Sequence, residues 1–213
     1  MGLEGKAPDY WEEATTHLSN SDEIMAEIIK EKYLPLLTSK GNVFLTLIRS
    51  IVGQQISNAA AESVWARLQN AVGTIEPKNV LKVDKETMRG CGLSYRKASY
   101  VLGVAEKWNS GMGEIDWESL SNDEVIESLT SIKGIGLWTA EMILIFSLLR
   151  ADVFPMGDIG AIRTMERLYN NGESLDKGDI IRIAESWKPY RTVATWYLWR
   201  MTDPAPVGYL SLI

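Results

Sequence analysis

The chain has 213 residues, 46% of them hydrophobic, with a formal net charge of −6 and only one cysteine and one histidine. That supplies apolar material for one compact unit or two intimate lobes. The lone Cys91 excludes an internal disulfide and a four-cysteine iron–sulfur cluster, and the lone His17 gives no basis for a zinc site or a serine triad, so no metal site is expected.

Residues 1–31 hold eight acids against two lysines, which accounts for the whole charge deficit. The opening MGLEGKAPDY has neither a basic nor an apolar segment, so no signal peptide is expected, and Lys6 stands where a myristoylation motif wants Ser or Thr. The longest apolar run, around Met142–Phe146, is too short to span a bilayer, so the protein is expected to be neither membrane-bound nor secreted. Residues 1–40 read as one amphipathic helix or two. Ser21-Asp22 can cap a helix with Ile24, Met25, Ile28, Ile29 and Tyr33 on one face, which Pro35 ends.

Asn42 to Val52 is a helix with Phe44, Leu47, Ile48, Ile51 and Val52 on one side. Gly53 breaks it, Gln54-Gln55-Ile56 forms a link, and Ser57 or Asn58 caps a second helix from Ala59 to Leu68. A connection from Gly73 to Val83 contains Pro77; Lys85–Arg89 leads to a turn at Gly90-Cys91-Gly92. Tyr95 to Trp108 is helical, Gly111-Met-Gly113 is a loop, and Ser121-x-x-Glu124 is a capping box for the next helix. Later helices are expected at about Leu137–Leu149, Ile159–Tyr169, Asp179–Ser186 and Thr192–Met201, followed by a loop or extension at Asp203–Pro206. No stretch sustains a period of two, so the fold is expected to be all-α. Segments 89–107 and 177–200 each carry a net charge of +3. Such patches either bind phosphate or are ordinary solvated helix faces.

The centre of the chain is Ser131–Asp158. Lys133-Gly134-Ile135-Gly136 makes a turn, an apolar helix follows, and a loop then delivers one carboxylate, Asp158. Two glycines one residue apart let a hairpin lie close to another backbone and aim N–H groups at an anion, although a tight interhelical turn would use the same residues. A helix of about 13 residues is about 20 Å long, and the eight-residue return from Arg150 to Gly157 can reach about 27 Å. The chain can therefore bring Asp158 back beside the Gly134–Gly136 turn. A capping role explains Asp158 as well as a chemical one does.

Leu129-x-x-Ile132-x-Gly134-Ile135-Gly136-x-x-Thr139-Ala140, the apolar helix and Val153-Phe154-Pro155 with Asp158 together resemble the helix-hairpin-helix DNA glycosylase superfamily. Ser50-Ile-Val-Gly-Gln-Gln-Ile-Ser57 and Trp187-Lys-Pro-Tyr-Arg191 extend the likeness to roughly Asn42–Arg200, nearest to the 3-methyladenine DNA glycosylase II (alkylbase glycosylase) branch. The resemblance implies a two-lobed helical fold. One lobe spans residues 40–150, the other combines 1–39 with 151–213, and the active site lies in the cleft between them.

It also implies roles. Asp158 would be the catalytic acid, with Trp138, Tyr190 and Met142 around the base. Gln55, with Gln54, would fill the gap left by an extruded nucleotide. Lys133, Gly134, Ile135, Gly136 and Thr139 would hold the DNA backbone, and hairpin carbonyls can share a cation with a phosphate; no cofactor is required. Trp138 stands where bifunctional relatives carry a Schiff-base lysine, which implies a monofunctional enzyme. Tyr190 replaces a tryptophan, and Met142 a tyrosine, of some members. The implied partner is double-stranded DNA containing alkylated bases, bound by a monomer in the nucleoid or cytoplasm of a prokaryote or the nucleus of a eukaryote. A non-catalytic binder of DNA or damaged DNA, and an unrelated helical interaction protein, are the alternatives.

Overall fold

The computed structural model describes residues 7–31 and 36–202. Tyr33, Pro35 and the Asp203–Pro206 tail lie outside the described residues. A single bridge position at Ser39 aside, the regular structure described is helical.

Two helices open the chain, α1 (Trp11–Ser21) and α2 (Glu23–Lys30). Trp11, Ala14 and Leu18 recur at spacings of three and four, so α1 buries one face. Asp22 separates the two helices and does three things at once. Its Oδ1 accepts the Met25 N–H at 3.0 Å and starts α2. Its Oδ2 accepts the Tyr169 hydroxyl at 2.6 Å and the Trp187 indole N–H at 2.9 Å. One carboxylate thus caps a helix and ties the N-terminal segment to the last third of the chain. Asp22→Ala is expected to destabilise the fold by about 2–4 kcal/mol, from a lost cap and two donors left without an acceptor. Urea unfolding measures this, and a change below about 1 kcal/mol would show that the tie is dispensable.

Next come α3 (Val43–Gly53, capped by Asn42), α4 (Asn58–Val72, capped by Ser57), α5 (Pro77–Val80), α6 (Lys85–Gly90) and α7 (Tyr95–Asn109). Where a loop was expected, Met112–Glu114 forms a 3-10 turn, and Pro77 starts a short helix because its fixed φ suits a first turn. The capping box at Ser121 and Glu124 is formed and opens α8 (Asn122–Thr130). Then follow α9 (Leu137–Phe146), α10 (Ile159–Tyr169), α11 (Lys177–Glu185) and α12 (Arg191–Thr202).

α9 is the axis of the fold. Every residue from Thr139 to Phe146 is buried, as an all-round apolar sequence requires. It packs on α3 and α8; α3 packs on α4 and α7, and α7 on α5, α6 and the 3-10 turn. α1, α2, α10 and α12 pack among themselves. One continuous core joins the two groups, and Phe146 stacks on Trp199 of α12 with ring centroids 5.6 Å apart.

α9 ends three residues before the expected Leu149. Leu149 takes a left-handed φ of +48° and the Arg150 N–H bonds back to the Leu144 carbonyl, turning the chain. The Arg150 guanidinium then donates to the carbonyls of Trp117, Glu118 and Leu120. Asp152 holds Arg191 through two hydrogen bonds, at 2.6 and 2.9 Å. The return loop is therefore pinned twice before it reaches Asp158.

Candidate active site

Asp158 is the N-cap of α10 and is only 3% exposed. Its Oδ1 accepts the Ala161 N–H at 2.8 Å and the Trp199 indole N–H at 3.0 Å. Its Oδ2 accepts the Trp138 indole N–H at 2.9 Å. Three helices meet on one carboxylate: α10 supplies a backbone donor, while α9 and α12 each supply an indole. The return permitted by chain length is made, since Trp138 lies two residues after Gly136. The Asp158 side chain also sits at the positive end of the α10 dipole.

The helix that carries Trp138 holds a second acid close enough to feel the charge of Asp158. Glu141 lies one turn along α9 from Trp138 and is 8% exposed. Burial, and then the charge of Asp158, push its carboxyl up to about 7. The sequence singles out neither Glu141 nor Trp199. The signal for Glu141 was an acid at i+3 from Trp138 within the otherwise apolar LWTAEMILIF.

The hairpin stands at the head of α9. Gly134 has φ +97°, and a β-carbon there would overlap the ring of Tyr100. Ile135 anchors the turn by burial, and its N–H bonds to the Ile132 carbonyl at 3.1 Å. Gly136 begins α9 without a side-chain cap, and Lys133, Gly136 and Leu137 are exposed, which leaves first-turn N–H groups facing solvent. Gln54, the C-cap of α3, donates its amide to the Gly134 carbonyl at 3.3 Å. The next residue, Gln55, is exposed with a left-handed φ of +57°. The two glutamines thus have different situations: Gln54 braces the hairpin and Gln55 projects beside it.

Three further expected site residues are less open to solvent or hold other partners. Met142 is completely buried within α9. Thr139 is 5% exposed and its side chain is not offered to solvent. The Tyr190 ring stacks on Tyr10 and meets the edge of His17 on the α1 side. Its hydroxyl is raised above the ordinary tyrosine range, first by a hydrogen bond to Glu13.

The two basic segments also differ from one another. In 177–200, Arg182 pairs with Asp179, Lys188 with Glu185 and Arg191 with Asp152, while Arg200 is buried over Trp196. In 89–107, Arg96 and Lys107 are exposed and join Lys133 in a groove of about 710 Å³ that Tyr95 and Tyr100 also line. The exposed basic side chains of this segment therefore gather beside the hairpin.

An all-helical fold with an exposed glycine hairpin, a central apolar helix and a buried helix-capping aspartate defines a helix-hairpin-helix protein of the glycosylase type. The family model described as HhH-GPD superfamily base excision DNA repair protein matches residues 48–189, and the chain belongs to that family. It is 36% identical over 200 residues to DNA-3-methyladenine glycosylase 1 of Schizosaccharomyces pombe, covering 90% of this chain and 88% of that one. A crystal structure of DNA-3-methyladenine glycosidase from Bacillus halodurans aligns with a TM-score of 0.80 and 38% identity over 89% of each chain. The S. pombe 3-methyladenine DNA glycosylase in complex with abasic DNA aligns with a TM-score of 0.79 and 36% identity, over 91% of this chain and 98% of that one. Among the described residues no helix is long and apolar enough to cross a membrane.

Proposed function

We propose that this chain is a monofunctional DNA glycosylase of base excision repair. It would extrude an alkylated purine of the 3-methyladenine type from duplex DNA and hydrolyse the bond to its sugar, leaving an abasic site. The observation that carries this reading is the Asp158 carboxylate, held by two indoles directly beside an exposed glycine hairpin. The two helix groups form the two lobes, residues 40–150 and residues 1–39 with 151–213, with Asp158 in the cleft between them. The protein acts as a monomer, in the nucleoid or the nucleus.

Breaking the glycosidic bond leaves positive charge on the sugar. A fixed carboxylate near C1′ stabilises that charge and orients the attacking water. An alkylated purine is already cationic and leaves as a neutral molecule. The extruded base is held by stacking, to which a cationic ring adds attraction for an aromatic face. Trp138, partly buried and bonded to Asp158, is the aromatic side chain proposed to meet the base. First-turn N–H groups of α9 hold a phosphate, and Lys133 with Arg96 and Lys107 extends the grip along the backbone. Gln55 enters the stack where the nucleotide leaves. A cation shared between hairpin and phosphate would be held by main-chain carbonyls, and no step of the hydrolysis uses it.

The test is incubation of the protein with methylated duplex DNA, scoring free base and strand integrity separately. Base release is expected, with breaks only after alkali, because Trp138 offers no amine to form a Schiff base. Strand breaks without alkali would overturn the monofunctional reading. Tight binding without release would make the protein a damage-binding module.

A further inference from the structure

We propose that Glu141 is the general acid that protonates the departing purine when that base is uncharged. The proposal rests on the glycosylase reading and extends it to a second substrate class, neutral lesions such as hypoxanthine. Asp158 is poorly placed to move protons. Its two oxygens already accept three N–H donors, leaving about one lone pair free. Glu141 is the opposite case: more than nine-tenths buried one helical turn from Trp138, with a side chain that no described residue hydrogen-bonds.

An acid in that setting carries a proton that nothing in the protein accepts. Burial and the neighbouring Asp158 favour the protonated form up to about pH 7. Other charged groups on elements packed against α9 do not reverse this. On α8, Asp123, Glu124 and Glu127 are exposed, and on α3, Arg49 is paired with Glu62. A buried acid beside a carboxylate that only accepts N–H donors suits the role of proton donor.

The step balances. The Glu141 proton passes to a ring nitrogen of the purine, the C1′–N9 bond breaks with its electron pair going to N9, and a water oxygen bonds to C1′. The proton lost by that water returns to the Glu141 carboxylate, and the enzyme is reset. A cationic purine needs no such proton, so dependence on Glu141 separates the two substrate classes.

The experiment is single-turnover release of 7-methylguanine and of hypoxanthine from duplex DNA by the wild type and by Glu141→Gln, which preserves size and hydrogen-bonding capacity. The loss on hypoxanthine is expected to exceed the loss on 7-methylguanine by at least about tenfold, the lower part of the range for general acid catalysis. Wild-type release of hypoxanthine is expected to fall as pH rises through about 7, and that fall should vanish in the variant. Equal losses on both bases, or no loss, overturn the proposal, and a thermal melt of the variant verifies folding. A wild type that releases 7-methylguanine but no hypoxanthine also overturns it and leaves the glycosylase reading standing. A wild type that releases neither base overturns both.

Discussion

Asp158→Asn is expected to lower release of an alkylated purine about 10³-fold, the scale of losing an electrostatic stabiliser in a buried site. The substitution is nearly isosteric, and asparagine is as good an N-cap as aspartate, so α10 should still begin at Ile159. What changes is the side facing the indoles. An amide NH₂ cannot accept a hydrogen bond, so the indole N–H of Trp138 or of Trp199 loses its acceptor. That costs about 1–3 kcal/mol of stability. Single-turnover kinetics on methylated DNA and a thermal melt, done on the same preparation, separate the two effects. Affinity for abasic duplex should survive, because the hairpin is untouched. Base release reduced less than tenfold would remove Asp158 from the chemistry and leave it a structural cap.

The hairpin glycines should divide just as clearly. Gly134→Ala demands a left-handed backbone from alanine and drives a methyl group into the Tyr100 ring. The two costs together are about 2–5 kcal/mol, enough to unfold a large share of a marginal domain. Gly136→Ala meets nothing within 4 Å and has an ordinary φ of −99°. Its effect on stability should stay under about 1 kcal/mol. If a phosphate docks on the α9 N-terminus, however, the added methyl stands at the contact. Affinity for abasic duplex should then drop about tenfold, the loss of one charge-assisted hydrogen bond. A Gly136→Ala protein with wild-type affinity would move the phosphate off this turn.

Most of the frame was legible because it is written in local rules. The period of apolar residues placed the helices, and Asn42, Ser57, Ser121 and Asp158 marked helix starts through side chains that the structure shows bonded to the expected N–H groups. Chain length permitted the return of Asp158. The site was harder because its partners come from distant segments. Trp199 is 41 residues from Asp158 and sits among other aromatic residues, so no local pattern distinguishes the indole that bonds from those that only pack. Met142 was read by position alone, and its complete burial is not visible in that position. The net charge of 177–200 was taken over a sequence window, whereas Asp152, which pairs with Arg191, lies outside that window. Glu141 was the most readable omission: an acid inside an apolar helix needs a reason.

The bond from Gln54 to the Gly134 carbonyl sets a fixed gauge. On the proposed reading, Gln55 enters the stack and the α9 turn holds a phosphate, so this bond would keep their offset along the duplex constant. Such a protein would interrogate one nucleotide at a set number of steps from the held phosphate, and would release that phosphate to move on. Scanning would proceed as discrete strides rather than as a continuous glide.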